Sequence, residues 1–435
     1  MSAAAAAVGD DARGGVAACG KLLPPSFGRY FAAFPDFNPP DMTTEDDVRA
    51  STVSAFERQG GRKLVWASFS QYWFKGMRFP RAKVVTLWRN GQIPYVWLLP
   101  MSGVALGLGP RQQNPERRFS LDNILAGTFD GALRAWAREA RETKIPILVE
   151  FGTEVNDDWG PWNGRWNGAG ETAGYGDPSY PDGAERFRDA YRRLVTLFRE
   201  EGATNVTWFF HADAWRQQDW WNELRWYYPG DEYVDWVGIS NYGSLDTGGP
   251  ILPFAEKLDS SGVYTELLRL SKHPLAVLEM GTVDDAAGGK APWIRDAFAA
   301  IRSRYPAFRA VSWYSMNEVG IDTRFDSSPG ALAAFRQAVS DPVFAARPRF
   351  TGSCAPEAPT ELSVRRESST GQARVRWRAL TNAASYEVWR SDERIAATRA
   401  AGFLDKQALR GRRYAYRVRA INLAGRSRWS RRVVG

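Results

Sequence analysis

The feature that most constrains the fold is an alternation of short apolar segments with longer amphipathic ones, which recurs eight times between Phe27 and Val339. Apolar runs of this length are typical of strands covered on both faces, and the longer segments have helical spacing. The acidic segment 43–47 predicts the start of the first helix. Eight such units favour an α/β fold, a (β/α)8 TIM barrel, although periodicity alone leaves an open doubly wound sheet as an alternative. The predicted strands are Phe27–Phe34, Lys63–Phe69, Ile93–Leu99, Ile147–Phe151, Asn205–His211, Tyr233–Ser240, the apolar run before Glu279 in the segment His273–Val283, and Arg309–Tyr314.

Two of these strands lead into a glutamate. The fourth breaks at Gly152 and is followed by Glu154, and the seventh runs directly into Glu279. Because barrel enzymes carry their active sites at the C-terminal ends of the strands, the two carboxylates are expected to converge across one cleft. A pair ~5–5.5 Å apart suits a retaining glycosidase, in which one carboxyl protonates the leaving oxygen and the other attacks the anomeric carbon. A wider gap suits an inverting enzyme, and sequence does not measure the gap.

Tryptophan is abundant, with 19 among 435 residues. An indole ring is hard to bury whole and forms a flat surface for stacking on a ligand, so tryptophans in loops favour carbohydrate binding, with core packing as the alternative for each. The candidate platforms are Trp73, Trp97, Trp159, Trp162, Trp215, Trp220 and Trp221. No apolar run approaches the ~20 residues of a membrane helix, and no zinc, P-loop or dinucleotide motif is present. Neither a metal nor an organic cofactor is predicted.

The chain is expected to divide into a disordered lead-in (1–22), a barrel (23–350), a linker (351–357) and a small module (358–435). Beyond the linker the pattern changes to strict alternation, which predicts an all-β sandwich with Trp377 and Tyr386 in its core. The module resembles a fibronectin type III domain, with Tyr414 placed for a tyrosine corner. That resemblance implies a spacer or adhesion role.

The net charge of +8 is concentrated in this module. From Pro356 onward there are 18 Lys and Arg against 7 Asp and Glu, about +11, so the rest of the chain is slightly acidic. A basic module can contact an anionic polymer or the cell envelope, and a solvated charged face is the simpler interpretation. No nucleic-acid partner is predicted.

The two cysteines, Cys19 and Cys354, bracket the predicted barrel. The ends of a barrel lie close together, so a disulfide between them is expected, which would indicate an oxidising compartment and a secreted or cell-envelope protein. Two separate thiols are the alternative. Val16–Cys19 resembles a lipoprotein cleavage site, but charged residues interrupt the apolar segment before it, so no usable export signal is evident.

Three segments resemble glycoside hydrolase family 26, the β-mannanase family, over about Phe27 to Phe344. They are Phe119–Ala137, the group Glu154, Asn156, Trp159 and Trp162, and the pair YVDWVGISNYG and PLAVLEMGT. The resemblance implies that Glu154 is the general acid/base and Glu279 the nucleophile. It also implies that Tyr242 hydrogen-bonds the nucleophile and that Trp313 forms the floor of the cleavage subsite.

The chain departs from that family pattern around the acid/base. Thr153 stands where the family usually has histidine, Glu150 where it often has arginine, and Asp157 where it has glycine. These positions surround the sugar at the cleavage point, which puts the usual mannan specificity in doubt. His211, on the fifth predicted strand, is expected to be either a structural histidine or a substrate contact.

The sequence therefore predicts a secreted, monomeric, retaining endo-β-glycosidase acting on a β-linked polysaccharide. Mannan is the first candidate substrate, followed by β-glucan, xylan or a bacterial exopolysaccharide. The alternative is a barrel that kept its sugar cleft and lost catalysis, which would bind oligosaccharides without releasing products.

Overall fold

The computed structural model describes residues 19–38, 44–104, 112–214, 219–246, 249–285, 287–318 and 320–435. Eight parallel strands pair in sequence order, and the last pairs with the first along six residue pairs, so the sheet is closed. This confirms the predicted TIM barrel and excludes the open sheet. Up to the linker the strands are β1 (Leu22–Leu23), β2 (Tyr30–Pro35), β3 (Trp66–Tyr72), β4 (Ile93–Leu99), β5 (Ile147–Phe151), β6 (Val206–Asp213), β7 (Trp236–Ser240), β8 (Leu275–Glu279), β9 (Phe308–Ser315), β10 (Asn317–Glu318), β11 (Ile321–Asp322) and β12 (Arg349–Phe350), of which β2 to β9 form the barrel.

Helices follow the barrel strands and cover the outside of the sheet. They are α1 (Ala50–Gly60), α2 (Arg81–Asn90), α3 (Leu121–Leu125), α4 (Asp130–Thr143), α5 (Asp182–Glu200), α6 (Leu224–Tyr227), α7 (Phe254–Ser261), α8 (Val263–Leu270), α9 (Lys290–Ser303) and α10 (Pro329–Val339). The first helix begins at Ala50, so the acidic segment 43–47 does not start it, and its described residues 44–47 belong to the loop after β2.

The amphipathic helices bury one face against the barrel, as α4 illustrates. Leu133, Trp136 and Ala140 are buried on the same side of this helix. The Trp136 ring packs edge-on against Phe79 with the centroids 4.9 Å apart, and its indole N–H donates to Gln71 at 3.0 Å. Burying an aromatic ring and satisfying its one donor together fix the helix on the sheet.

The two ends of the barrel segment are tied together. β1 pairs antiparallel with β12, so that Leu22 lies opposite Phe350. Cys19 and Cys354 are joined in a disulfide that spans 335 residues of sequence. Residues 19–22 are therefore held against the barrel, although the predicted disordered lead-in included them, and residues 1–18 of that prediction lie outside the described residues.

Replacing both cysteines in a Cys19→Ser/Cys354→Ser variant is expected to lower the free energy of unfolding by about 2–5 kcal/mol, because a crosslink over a long loop restricts the unfolded chain. Urea unfolding of the variant and of the oxidised wild type measures the difference. Wild type treated with a reductant is the matched control and should unfold like the variant. Equal unfolding midpoints for the oxidised wild type and the variant would contradict the expectation.

The C-terminal module is an all-β sandwich of two antiparallel sheets, as predicted. One sheet has the order β13-β14-β17, and the other has β16-β15-β18 with β19 and β20 beside β18. Trp377 and Tyr386 meet in its core with ring centroids 5.2 Å apart. The strands are β13 (Ser363–Arg366), β14 (Ala373–Arg376), β15 (Ser385–Arg390), β16 (Glu393–Thr398), β17 (Gly402–Asp405), β18 (Ala415–Asn422), β19 (Gly425–Arg426) and β20 (Val433–Val434).

The predicted tyrosine corner at Tyr414 is wrong. Tyr414 precedes β18 and is only partly buried, with its ring facing the guanidinium groups of Arg366 and Arg390. The fully buried tyrosine is Tyr416, whose hydroxyl donates to the Asp405 carboxylate at 2.8 Å.

We propose that the barrel ends and the module begins within 351–362, because β12 ends at Phe350 and β13 starts at Ser363. Across this junction the Trp88 indole donates to the carbonyl of Asn382 at 2.8 Å. Within the described ranges, no helix combines the length and the apolar character that crossing a membrane requires.

Candidate active site

A cavity of about 680 Å³ opens at the C-terminal ends of the barrel strands. This is the end of the barrel at which strand termini and loops can bring side chains from distant parts of the sequence together. Both predicted catalytic glutamates line it. Lining residues at or just beyond strand ends include Tyr72, Leu99, Thr153, Glu154, Asp213, Tyr242, Glu279 and Tyr314.

Glu154 is presented by a sharp turn after β5. Gly152 has φ 69° and Glu154 itself has φ 54°, in the left-handed region that non-glycine residues rarely adopt. A side chain at Gly152 would come within 2.9 Å of the Trp162 ring. The indole N–H of Trp159 donates to the Glu154 carboxylate at 2.6 Å. An unusual backbone held at a cavity wall is typical of a functional residue.

Asn156 anchors this turn to the neighbouring strand. Its side-chain amide donates to the carbonyl of Asp213 at 2.9 Å, and its side-chain oxygen accepts from the backbone N–H of Asp213 at 2.8 Å. The Asn222 amide in turn donates to the carbonyl of Asn156 at 2.7 Å. The substrate-binding prediction for Asn156 is corrected, because the residue is buried away from the cavity wall and positions the loop that carries Glu154.

Glu279 is the last residue of β8, and only 6% of its surface is exposed. The Tyr242 hydroxyl, two residues beyond β7, donates a hydrogen bond to its carboxylate. Burial raises the pKa of Glu279 well above the usual glutamate range, and the charge of Glu154 raises this pKa further. The hydrogen bond from Tyr242 acts in the opposite direction and favours the ionised carboxylate.

This geometry predicts the behaviour of Tyr242→Phe. Loss of a hydroxyl that stabilises the carboxylate should raise the pKa of Glu279, so that Glu279 stays protonated to higher pH. If ionised Glu279 is the nucleophile, the acidic limb of the kcat/KM profile should move to higher pH. At neutral pH, activity should fall about 10- to 100-fold, the value of one hydrogen bond to a charged group. A profile with an unmoved acidic limb would show that Tyr242 does not act through Glu279.

A third glutamate in the cavity wall, Glu45, was missed in the sequence. Its carboxylate accepts hydrogen bonds from Ser70 at 2.5 Å, from Tyr72 at 3.1 Å and from Tyr314. The pKa of Glu45 is raised above the usual glutamate value, mainly by burial and further by the charge of Glu154. The three hydrogen bonds act in the opposite direction and favour the ionised carboxylate. An acidic run after a strand is also typical of a helix start. Nothing in the local sequence therefore distinguishes a helix N-terminus from a loop that contributes a carboxylate to the cavity.

A buried polar network lies inside the barrel next to the turn that carries Glu154. Glu150, on β5, accepts from the Tyr95 hydroxyl and the Thr153 hydroxyl, and lies 3.0 Å from Nδ1 of His211. The other ring nitrogen of His211 lies 2.8 Å from the Ser240 hydroxyl. His211 is therefore a structural histidine, and its substrate-binding prediction is corrected: both of its nitrogens have buried partners and it does not line the cavity.

The tryptophan predictions separate into two groups. Trp159 and Trp97 line the cavity, and the Trp97 ring lies 6.2 Å from that of Tyr314 at a shallow angle. Trp162 is buried, donates to the carbonyl of Thr153 at 2.8 Å and holds the loop. Trp73 packs edge-on against the core ring of Phe119. Trp73 and Trp162 do not line the cavity, which corrects both substrate-binding predictions.

The Trp313 prediction is also corrected. Side chains alternate along β9, so Trp313 faces the helices, packs against Trp293 and Phe335, and donates to the carbonyl of Thr323 at 3.1 Å. The next residue, Tyr314, lines the cavity in its place. Trp220 is half exposed and Trp221 is buried, both away from the cavity wall, and Trp215 lies outside the described residues.

The cavity wall is strongly acidic. Five carboxylates and one lysine, Lys257, are among the described lining residues, and the carboxylates are those of Glu45, Glu154, Asp157, Asp213 and Glu279. Burial and the charge of Glu154 raise the pKa of Asp157 to about 6. Glu154, Asp157 and Asp213 each place an oxygen within 4.8 Å of the others and could hold a cation. The absence of a metal cofactor remains a prediction.

The segment that carries both glutamates matches a known family. Residues 121–326 match the family model described as Glycosyl hydrolase family 26. Endoglucanase H of Acetivibrio thermocellus is 28% identical over 291 residues, which are 66% of this chain and 29% of that protein. A Beta-1,3-xylanase of Alcaligenes sp is 24% identical over 165 residues, which are 36% of this chain and 28% of that protein. The family match covers a little under half of the chain and includes both Glu154 and Glu279.

Structural similarity supports the fold. The catalytic domain of the Bacillus sp. JAMB-750 GH26 Endo-beta-1,4-mannanase is 18% identical, with a TM-score of 0.53 over 73% of this chain and 86% of that chain. At this identity the similarity concerns the barrel fold alone. The matched regions span less than a third of the length of the two curated relatives.

Proposed function

We propose that this protein is a family 26 glycoside hydrolase that cleaves a β-linked polysaccharide by double displacement, with Glu279 as nucleophile and Glu154 as general acid/base. The observation that carries the proposal is the placement of these two carboxylates in one acidic, aromatic cavity at the mouths of β5 and β8. The separate hydrogen-bond donors of the two glutamates, Trp159 for Glu154 and Tyr242 for Glu279, support separate roles.

In the first step a carboxylate oxygen of Glu279 attacks the anomeric carbon while the bond to the leaving oxygen breaks. Glu154 transfers its proton to that oxygen, so the leaving chain departs as a neutral alcohol and the sugar is held as an ester of Glu279. In the second step Glu154, now a carboxylate, removes a proton from water. The water oxygen bonds to the anomeric carbon, and the carboxylate of Glu279 is released. Two inversions give net retention.

The cavity favours some polysaccharides over others. Five carboxylates on its wall would repel a polymer of uronic acids, so a neutral sugar chain, or one carrying amino groups, is the better match. Tyr72, Trp97 and Trp159 provide aromatic surface for sugar rings. We therefore keep β-mannan as the first candidate, with β-glucan, xylan and bacterial exopolysaccharides next.

The departures from the family pattern at Thr153 and Glu150 belong to one buried arrangement. Thr153 donates to Glu150, which is fully buried and also contacts Tyr95 and His211. The two substituted side chains therefore have hydrogen-bond partners, and each is a partner of the other. This supports an intact catalytic site over a barrel that binds sugar without cleaving it.

We also propose that the protein works outside the cytoplasm, because disulfides persist in oxidising compartments. A barrel closed by a disulfide and followed by a second folded module suits an exported polysaccharide hydrolase.

The proposal is tested by reducing-sugar release from β-mannans, β-1,4- and β-1,3-glucans, β-1,4- and β-1,3-xylans and bacterial exopolysaccharides. Wild type should release sugar from at least one of them, and Glu279→Ala from none. Glu142→Ala, which removes an exposed glutamate on α4, is the matched control and should retain activity. Oligosaccharide binding by calorimetry, combined with no release from any polymer, would favour the inactive binding barrel.

A further inference from the structure

We infer that the C-terminal module binds an acidic polysaccharide through the outward face of its three-stranded sheet, and that this polymer is an anchor and not the substrate. The arginine face, as we name it, is defined by three exposed arginines on β13 and β14, which are Arg365, Arg374 and Arg376. It goes beyond the proposed function, because it concerns a surface remote in sequence from the two catalytic glutamates.

The strand register brings these arginines together. Along β14 buried and exposed residues alternate, with Ala373 and Val375 inside and Arg374 and Arg376 outside. Arg365 of β13 lies directly opposite Arg374. Like charges at opposite positions on one face of a sheet are destabilising, so the folded module gains nothing from this pair. A polyanion lying across the face would remove the repulsion.

Two of the three arginines have no protein partner. The Arg374 side chain lies 3.2 Å from Glu367, whereas the side chains of Arg365 and Arg376 make no ion pair or hydrogen bond with any residue that the structure describes. Their guanidinium groups therefore keep all their donors free. Because the planar guanidinium fork matches a carboxylate in a bidentate geometry, free arginines in a row suit a chain of carboxylates.

The other sheet of the module shows the contrast. There Arg417 stacks over Trp429 with the guanidinium carbon 4.5 Å from the ring centroid. Arg419 stacks over the same ring at 4.5 Å and pairs with Glu387 at 2.6 Å. Arg417 and Arg419 are therefore used within the module, whereas the Arg365 and Arg376 side chains of the arginine face are left for a ligand.

Charge is distributed so that a polyanion is drawn to the module and kept from the cavity. Residues 356–435 carry 18 Lys and Arg against 7 Asp and Glu, a net charge of about +11, so residues 1–355 carry about −3. The cavity wall has five carboxylates and one lysine among its described residues. One polymer would be attracted by the module and repelled by the cavity, so the two sites must take different chains.

The face fits a polysaccharide better than a nucleic acid. Single-stranded nucleic acids are held by basic grooves that also carry aromatic rings for base stacking. The residues opposite the arginines on this face are Ser363, Leu404 and Gly402, none of them aromatic. A flat basic strip without rings matches a flexible chain of carboxylated sugars.

The test uses the full chain and polygalacturonate as the probe, with fully methyl-esterified polygalacturonate as the neutral control of the same backbone. Wild type should bind polygalacturonate in affinity electrophoresis, more weakly as salt increases, and should not bind the ester. The triple variant Arg365→Gln/Arg374→Gln/Arg376→Gln should lose about tenfold or more in affinity, as expected for three exposed ion pairs. Hydrolysis of a short soluble substrate should be unchanged.

A matched variant distinguishes binding through the arginine face from binding that depends only on the net charge of the protein. Arg58→Gln/Arg89→Gln/Arg295→Gln removes three exposed arginines from barrel helices and should bind polygalacturonate like wild type. Equal affinity of the two triple variants would overturn the proposal, as would tight binding of the methyl ester. Single-stranded DNA and polygalacturonate can also be compared as competitors at equal concentrations of negative charge. If DNA displaces bound polygalacturonate at a lower charge concentration than free polygalacturonate does, the face is a nucleic-acid surface instead. None of these outcomes depends on catalytic activity.

Discussion

Glu279→Ala is expected to reduce turnover of every polysaccharide substrate by about four orders of magnitude or more, the scale seen when a covalent nucleophile is removed. The variant keeps Glu154, Trp159 and the aromatic wall, so substrate should still bind with an affinity close to that of wild type. Hydrolysis rates under single-turnover conditions and calorimetric binding of an oligosaccharide measure the two effects separately.

A folding control distinguishes loss of catalysis in a folded variant from loss of the folded structure. Burial and neighbouring carboxylates raise the pKa of Glu279 above its unfolded value, so the folded state binds the proton more tightly and loses stability as pH rises. Glu279→Gln cannot ionise, so it should unfold at a higher temperature than wild type at pH 8, with the difference disappearing at acidic pH. Wild-type activity in Glu279→Ala would show that the nucleophile is another residue.

Glu154→Ala is expected to slow hydrolysis of polysaccharides by about 10²- to 10⁴-fold, the usual contribution of general acid–base catalysis. The loss should depend on the leaving group. An aryl glycoside with an acidic phenol needs no proton to depart, so formation of the ester on Glu279 should be nearly as fast as in wild type. A burst of phenol followed by slow turnover would report this.

Azide provides the matching control for Glu154→Ala. An anion already carries its nucleophilic electron pair and needs no base, so azide should enter the space left by the carboxylate and accelerate the second step. The product should be a β-glycosyl azide, formed by this variant and not by Glu279→Ala. Equal slowing of all substrates regardless of leaving group, with no effect of azide, would remove Glu154 from the acid/base role.

The fold was predictable from sequence because a barrel strand that is buried on both faces appears in the sequence as a short, continuous apolar run. β4 occupies Ile93–Leu99 as predicted, and Glu279 ends β8 in the structure as it ends the apolar run in the sequence. Closure of the sheet was the step that needed the structure, since the same alternation is compatible with an open sheet. The Cys19–Cys354 disulfide is consistent with a closed barrel, because it joins the two ends of the barrel segment.

The site was predictable only in part, because sequence gives strand ends better than side-chain directions. Trp313 and Tyr314 are adjacent, yet alternation along β9 turns the first to the helices and the second to the cavity. A resemblance to a motif identifies the segment that forms the site. It does not determine which of two neighbouring aromatic rings points into the cavity. Asn156 shows the same limit, since a conspicuous polar residue beside the acid/base proves to hold the loop.

Glu45 illustrates a different limit. Its hydrogen-bond donors come from β3 and β9, far apart in sequence, and only closure of the barrel brings them to one carboxylate. A local reading can identify an acidic loop but not the hydroxyls that will surround it. Together with Asp157 and Asp213, this residue makes the cavity more acidic than two catalytic glutamates require.

The most direct test of the account is proton NMR of the reducing end released at the earliest times after wild-type enzyme meets its substrate. Double displacement through Glu279 predicts that the new reducing end appears first as the β anomer and then equilibrates slowly with the α anomer. Initial appearance of the α anomer would mean single displacement by water, and Glu279 would then be a base and not a nucleophile.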